Sequence, residues 1–103
     1  MMPFKTPYYA VIFTSVKTGD DLGYLDMAQR MQELAKQQPG FLGMETANDE
    51  VSITVSYWQD LNSITAWKEH AAHQLAQKQG KSQWYASYNV RICMIEQEYG
   101  FPL

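Results

Sequence analysis

Two histidines and a tryptophan lie within one seven-residue stretch of the chain: Trp67, His70 and His73. They belong to residues 61–79, where apolar residues recur at the spacing of an amphipathic helix. At about 100° per residue, His70 falls on the flank of the apolar stripe near Trp67, and His73 falls on the opposite side. An imidazole in His70's position can bind heme iron or carry protons in an oxidation. The alternative interpretation is a boundary His70 hydrogen-bonded to backbone or water, and an exposed His73.

The histidine pair alone does not predict a metal site. Residues three apart share a helix face, but no carboxylate or third ligand is placed to complete a coordination shell. The chain also has no GxGxxG, Walker, HExxH, CxxC or GxSxG motif. The sequence therefore favours neither a nucleotide cofactor nor a catalytic triad.

Aromatic residues near this helix form either a wall for a planar ligand or ordinary core. They are Trp58, Trp67, Trp84, Tyr85 and Tyr88. The candidate substrate-binding residues are Trp58, Trp84 and Tyr88, together with Asn62, whose amide is otherwise a cap or surface group.

Arg91 interrupts an otherwise apolar strand, so its guanidinium requires an anionic partner. That partner is a phenolate or carboxylate of a ligand, or a structural carboxylate such as Glu45 or Glu96. With Trp67 and His70, Arg91 completes the set of candidate catalytic residues. Cys93 in the same strand is expected to be an inert buried thiol.

Local patterns predict six elements in the order β-α-β-β-α-β, an α+β ferredoxin-like fold with an antiparallel sheet. Asp20 or Asp21 is expected to cap the first helix, Pro39-Gly40 to end it, and Asp60 to cap the second. Residues 47–50 form a hairpin turn. The predicted strands cover 8–16, 41–46, 51–58 and 85–98, and the predicted helices cover 22–38 and 61–79.

The first and last strands are apolar on both sides, although two helices cover only one face of such a sheet. Tyr9 and Val11 of the first strand alternate with Ala10 and Ile12. The uncovered face therefore needs another cover. A second copy packed sheet to sheet is the simplest one, which predicts a homodimer.

Composition sets the remaining limits. The chain has 103 residues, 46% of them hydrophobic, and a net charge of −3, which predicts a single domain over 1–103 with its core at about 8–99. Scattered basic residues argue against nucleic acid, and no apolar run is long enough for a membrane helix. The start of the chain lacks signal-peptide features. Because Cys93 is the one cysteine, a cytoplasmic location is expected.

The segments YYAVIFTS, PGFLGMET, ITVSYWQDLNSITAWKEHAAH and WYASYNVRICMIE together resemble the antibiotic biosynthesis monooxygenase (ABM) domain family. The resemblance covers residues 8–99 and implies a dimeric α/β barrel. Quinone-forming members use an Asn and a Trp on the second helix and an Arg on the last strand, for which Asn62, Trp67 and Arg91 stand here. Heme-degrading members use an Asn on the first strand, and residues 8–16 contain none.

Three hypotheses follow from these residues and the resemblance. The first is a cofactor-independent monooxygenase that oxidises a small aromatic or polycyclic phenol, with Trp67 and Arg91 positioning it and His70 handling protons. The second is a heme-binding or heme-degrading protein with His70 or His73 on iron. The third is a non-catalytic dimeric binding or stress-response domain.

Overall fold

The computed structural model describes residues 4–17, 24–78 and 85–101. Its elements are β1 (Tyr8–Lys17), α1 (Tyr24–Lys36), β2 (Phe41–Ala47), β3 (Ser52–Trp58), α2 (Leu61–Lys78) and β4 (Tyr85–Ile95). They form one antiparallel sheet in the order β2-β3-β1-β4. The predicted α+β ferredoxin-like order is therefore confirmed.

The turn after α1 forms at Pro39-Gly40, as predicted, but the helix ends at Lys36, before residue 38. The Gln37 and Gln38 amides donate to carbonyl oxygens three residues back, at 3.2 and 3.0 Å. Because these hydrogen bonds span three residues instead of four, the last turn is tighter than an α-helical turn. Gly40 follows with a φ of 84°, a backbone conformation that residues with a Cβ rarely adopt. The predicted caps at Asp20 and Asp21 and the predicted helix start lie outside the described residues.

Asp60 caps α2 as the sequence predicts. Its carboxylate accepts a hydrogen bond from the Ser63 amide at 2.8 Å, which satisfies one of the free N–H groups at the helix start. Hydrogen bonds from Ser63 lower the pKa of Asp60 below its usual value. The Gln59 amide also donates to the Gly40 carbonyl at 2.7 Å, so the turn after α1 is joined to the start of α2. The predicted end of α2 at Gln79-Gly80 and the connection over 81–84 lie outside the described residues.

β4 ends at Ile95, three residues before the predicted end at Glu98. Its last partner on β1 is Tyr8, and Tyr8 is preceded by Pro7, which has no N–H to extend the ladder. The chain then leaves the sheet. The Glu98 carboxylate accepts a hydrogen bond from the Phe4 amide at 3.2 Å, joining the two ends of the described chain.

The strand register divides the sheet residues between two faces, because directly paired residues point the same way. Trp58 stacks on Trp67 of α2, so α2 covers the Trp58 side. α1 contacts β2, and the turn after α1 lies against the start of α2 at Ser63, so α1 lies on that same side. The helix face consists of Tyr9, Val11, Phe13, Ser15, Phe41, Met44, Thr46, Ser52, Thr54, Ser56, Trp58, Tyr88, Val90, Ile92 and Met94.

The opposite face, called the open face below, has no helix against it among the described elements. It consists of Tyr8, Ala10, Ile12, Thr14, Gly43, Glu45, Ala47, Ile53, Val55, Tyr57, Asn89, Arg91, Cys93 and Ile95. Ala35, Trp58 and Ile64 are buried under the helices, and Tyr8 and Ala10 are buried on the open face. No described helix is long and apolar enough to cross a membrane.

Candidate ligand-binding site on the helix face

Trp58 is the anchor between β3 and α2. Its side chain is fully buried, and its ring stacks on that of Trp67 with centroids 6.1 Å apart and an interplanar angle of 22°. Phe41 packs edge-on against it at 5.4 Å. The indole N–H donates to the Ser56 hydroxyl at 2.8 Å. With all its surface covered, Trp58 is a packing residue that fixes Trp67, whereas the sequence suggested that it contacts substrate.

Trp67 and His70 lie beyond this anchor and are only half-buried. Their ring centroids are 5.9 Å apart, one helical turn along the same side of α2. The His70 Nε2 atom is itself buried and has no hydrogen-bond partner. A buried ring nitrogen without a partner is costly unless something else binds it. The structure thus places His70 half-buried beside Trp67, at the border of the apolar stripe that the helix period predicts.

Hydroxyl groups line part of the helix face, although the sequence gave no reason to place them there. Ser15, Ser52 and Ser56 are all buried, and the Ser15 oxygen has no hydrogen-bond partner. In β3, every second residue from Ser52 to Trp58 lies on the helix face, and the residues between them are more apolar. The more apolar side of a strand usually faces the helices. The buried Trp58 is the one signal in the sequence that could have identified the serine side as the covered one.

An apolar stripe on β4 continues the helix face toward the sheet edge. Its members, called the β4 stripe below, are Tyr88, Val90, Ile92 and Met94, and between 47% and 60% of each side chain is exposed. They pair with β1 residues on the same face, and Tyr88 stacks on Phe13 at 5.5 Å. Among the described residues α1 contacts β2 and α2 contacts β3, whereas the β4 stripe remains exposed. The exposed apolar surface of β1 and β4 on the helix face is called the trench below.

The predicted aromatic wall is divided in the structure. Trp58 pairs with Tyr9 and Tyr88 pairs with Ser15, so the two rings lie at opposite ends of the face, about 20 Å apart along the strands. Asn62 is exposed in the first turn of α2. Trp84 and the side chain of His73 lie outside what the structure describes.

Arg91 is not part of this site, contrary to the role expected from the sequence. It pairs with Ile12, which pairs with Val55, so its side chain points from the open face. The sheet therefore separates the guanidinium from Trp67 and His70. Cys93, on the same side as Arg91, is half-buried rather than fully buried. Its thiol lies 3.8 Å from the Ala10 carbonyl oxygen.

A second group of aromatic rings lies on the open face. Phe4, Tyr8 and Tyr57 pack with centroid distances of 5.2 to 6.1 Å. The Tyr57 hydroxyl donates to Glu45 at 2.6 Å, and this bond, with partial burial, raises the pKa of Tyr57 to about 12. Burial and the neighbouring Glu98 raise the pKa of Tyr8 to about 12. Both phenols therefore stay protonated at neutral pH and act as hydrogen-bond donors rather than as bases.

Two other features offer less chemistry. A groove of about 340 Å³ beside the first residues of the chain is lined by Lys5, Thr6, Pro7, Tyr8, Leu42 and Gln59, none of which belongs to the helix-face site. No group of three or more His, Cys, Asp or Glu residues suitable for a metal ion occurs among the described residues. The helix face thus combines the half-buried rings of Trp67 and His70 with the exposed apolar β4 stripe.

Known proteins share both the sequence pattern and the fold. The family model for antibiotic biosynthesis monooxygenase matches residues 7–79. The uncharacterized protein YqjZ of Bacillus subtilis is 49% identical over 96 residues, which cover 91% of this chain and 84% of that protein.

Solved structures at low sequence identity share the architecture. The NE2512 protein of unknown function from Nitrosomonas europaea aligns with a TM-score of 0.75 at 12% identity, covering 97% of this chain and 99% of that one. A mutant form of SnoaB, a cofactor-independent oxygenase from Streptomyces nogalater, aligns with a TM-score of 0.67 at 9% identity, covering 93% and 98%. The family model and the YqjZ match together show that this chain belongs to the antibiotic biosynthesis monooxygenase family.

Proposed function

We propose that the protein is a cofactor-independent monooxygenase that oxidises a small aromatic or polycyclic phenol with dioxygen in the helix-face trench. Family membership supports this class of reaction, and SnoaB, which shares the fold, is a cofactor-independent oxygenase. The observation that carries the proposal is the unpartnered, buried Nε2 of His70. It lies next to Trp67, on the helix face whose β4 stripe remains exposed.

The trench matches the requirements of a flat phenolic substrate. Val11, Phe13 and the β4 stripe offer an apolar surface on which fused rings lie and are kept from water. The half-buried indole of Trp67 forms the wall on the α2 side. Because the β4 stripe is exposed, a ligand that lies on it removes apolar surface from solvent.

His70 supplies the proton transfer that the reaction requires. Its Nε2 is buried beside Trp67, so it accepts the phenolic proton once the Trp67–His70 contact opens. This proton transfer produces the electron-rich phenolate that reacts with dioxygen. The phenolate itself provides the electrons for the reaction. For an anthrone, one oxygen atom becomes the new quinone carbonyl and the other leaves as water, with no external reductant. The protein's contributions are therefore binding, deprotonation and exclusion of water.

Oxygen uptake with 1,8-dihydroxyanthrone tests this proposal. We expect one dioxygen consumed per quinone formed, and a decrease in kcat of about 100-fold or more in His70→Ala, because a general base contributes at least that much. Glu69→Ala is the matched control, since Glu69 is the exposed neighbour of His70. No turnover above the buffer rate, or equal rates in wild type and His70→Ala, contradicts the proposal and favours a non-catalytic binding domain.

Heme is the second candidate, because an unpartnered histidine nitrogen is also what an axial ligand requires. The fit is incomplete. The Nε2 atom has almost no accessible surface, so iron reaches it only if the Trp67–His70 wall moves. The first-strand Asn of heme-degrading members is also missing from β1. A hemin titration decides between the two: a stoichiometric Soret shift that His70→Ala abolishes favours heme, and the absence of a saturable shift removes it.

A further inference from the structure

We propose that Trp67 is a gate over the Nε2 atom of His70, and that a ligand reaches this nitrogen only when the Trp67 indole turns away. Trp58 is the fixed surface against which the gate closes. The inference rests on the proposed function for the role of His70 as the base, and it adds how access to that base is controlled. Access to Nε2 is measurable without substrate or turnover, so the two proposals fail separately.

The closed state covers the one atom of His70 that has to take a proton. The His70 residue is half-buried as a whole, yet its Nε2 atom is buried and has no hydrogen-bond partner among the described residues. The ring of Trp67, one turn earlier on α2, lies against the imidazole with the centroids 5.9 Å and the planes 34° apart. Solvent therefore reaches part of His70 but not the nitrogen itself.

This closed state carries a cost that opening relieves. A buried imidazole nitrogen without a partner has lost its hydrogen bond to water and gained none in return. When the Trp67 indole turns away, water or a hydroxyl group binds Nε2. Opposing this are the stacking of Trp67 on Trp58, at 6.1 Å and 22°, and the apolar surface that the indole buries. Because the two contributions have opposite signs, the open state is a minor but accessible population.

The surroundings of the two tryptophans decide which one moves. Trp58 is fully buried, its indole N–H donates to the Ser56 hydroxyl at 2.8 Å, and Phe41 packs edge-on against it. Trp67 is half-buried, and its neighbours on α2 at positions 66, 68 and 69 are exposed. Trp58 is therefore held in place, whereas Trp67 has solvent on its outer side into which the indole turns.

The gate also determines which ligands open it. A phenolic hydroxyl donates to a neutral imidazole nitrogen, so a phenol stabilises the open state with the hydrogen bond that the closed state lacks. An aromatic hydrocarbon of the same shape has no donor and does not hold the gate open through Nε2. A base that is released on binding also meets its substrate with less competing water than one that is always hydrated.

Acylation of His70 by diethyl pyrocarbonate measures the open state, because the reagent attacks an accessible, unprotonated imidazole nitrogen. The chain has two histidines, so a His73→Gln background leaves one, and NMR of the labelled ring separates the Nε2 adduct from the Nδ1 adduct. We expect Nε2 to react about 10 to 1,000 times more slowly than in N-acetylhistidine, as an open population of about 0.1–10% requires.

Variants of the gate and a surface control identify the covering ring. Trp67→Ala raises the Nε2 acylation rate by about tenfold or more. Trp67→Phe keeps a ring against Trp58 and raises the rate less. Glu69→Ala, at the exposed neighbour of His70, leaves it unchanged. If Trp67→Ala fails to fold, the rise in Trp67→Phe decides.

Urea separates movement of the gate from unfolding. Opening by Trp67 alone exposes little surface, so the acylation rate stays constant below the unfolding transition. The Trp58 indole N–H stays bonded to Ser56 meanwhile, so its hydrogen exchange is suppressed more strongly than His70 acylation. An Nε2 rate equal to that of N-acetylhistidine, a rate that neither Trp67 variant changes, or one that follows urea and Trp58 exchange overturns the proposal. A gated Nε2 without turnover of 1,8-dihydroxyanthrone contradicts the proposed function alone.

Discussion

Trp67 and Arg91 lie on opposite sides of the β-sheet. Trp67 stacks on Trp58 over the helix face, whereas Arg91 pairs with Ile12 and points from the open face. A ligand bound against Trp67 is therefore separated from the guanidinium by the sheet itself. The helix face therefore carries Trp67 and His70, and the open face carries Arg91.

Ser15→Ala is expected to stabilise the protein. The Ser15 oxygen is buried without a partner, so its removal relieves a desolvation cost of about 1 kcal/mol. Urea unfolding measures this effect.

Ser56→Ala is the matched contrast, because the Ser56 hydroxyl accepts the Trp58 indole N–H at 2.8 Å. An alanine at Ser56 leaves the buried indole N–H of Trp58 without an acceptor, and we expect this to destabilise the protein by about 1–2 kcal/mol. If Ser15→Ala destabilises as much as Ser56→Ala does, the Ser15 hydroxyl has a partner in solution and the expectation is wrong.

Tyr57→Phe is expected to change how stability depends on alkaline pH. The folded-state pKa of Tyr57 is raised from 10.0 to about 12, so its contribution is fully present below pH 10 and is lost as the pH rises through 12. At pH 8 the variant is less stable by about 0.5–1 kcal/mol, a value reduced for partial exposure.

The difference between wild type and Tyr57→Phe should therefore shrink between pH 10 and 12. Both proteins keep a pH dependence of the same sign from Tyr8, whose pKa is also raised to about 12, so the comparison is made between their stabilities at each pH. Urea unfolding at a fixed protein concentration across this range measures the difference. A difference that stays constant from pH 8 to 12 argues against the Tyr57–Glu45 hydrogen bond.

Gly40→Ala is expected to destabilise the junction between α1 and α2 by at least about 2 kcal/mol. The φ of 84° disfavours any residue with a Cβ, and a Cβ there overlaps the Ser63 side chain. Gly100→Ala is the control, because a Cβ at Gly100 meets nothing within 4 Å. Thermal unfolding compares the two variants; equal melting temperatures show that the turn adopts another conformation.

The order of elements was predictable because its signals are local. Pro39-Gly40 lies within a few residues of the end of α1, and Asp60 lies directly before the start of α2. The end of β4 was not predictable from its own residues, because it depends on Pro7, nearly ninety positions earlier, at the end of the paired strand.

The candidate site was predictable only in part, for a related reason. The helix period indicated that His70 borders the apolar stripe near Trp67, and the structure agrees. The side of the sheet from which Arg91 points depends on its pairing with Ile12, which no local pattern specifies. A register shift of one residue would have moved it to the other face.

The most direct test of the central claim, that the helix-face trench is the ligand site, is the dissociation constant of 1,8-dihydroxyanthraquinone for Ile92→Glu. Ile92 is a β4-stripe residue, 47% exposed, and a carboxylate there puts charge on the apolar surface where the rings are expected to lie. Val51→Glu is the matched control: Val51 is 49% exposed in the β2–β3 turn. We expect binding at least about tenfold weaker in Ile92→Glu and unchanged in Val51→Glu. Wild-type affinity in Ile92→Glu, or no saturable binding by the wild-type protein, would contradict the assignment.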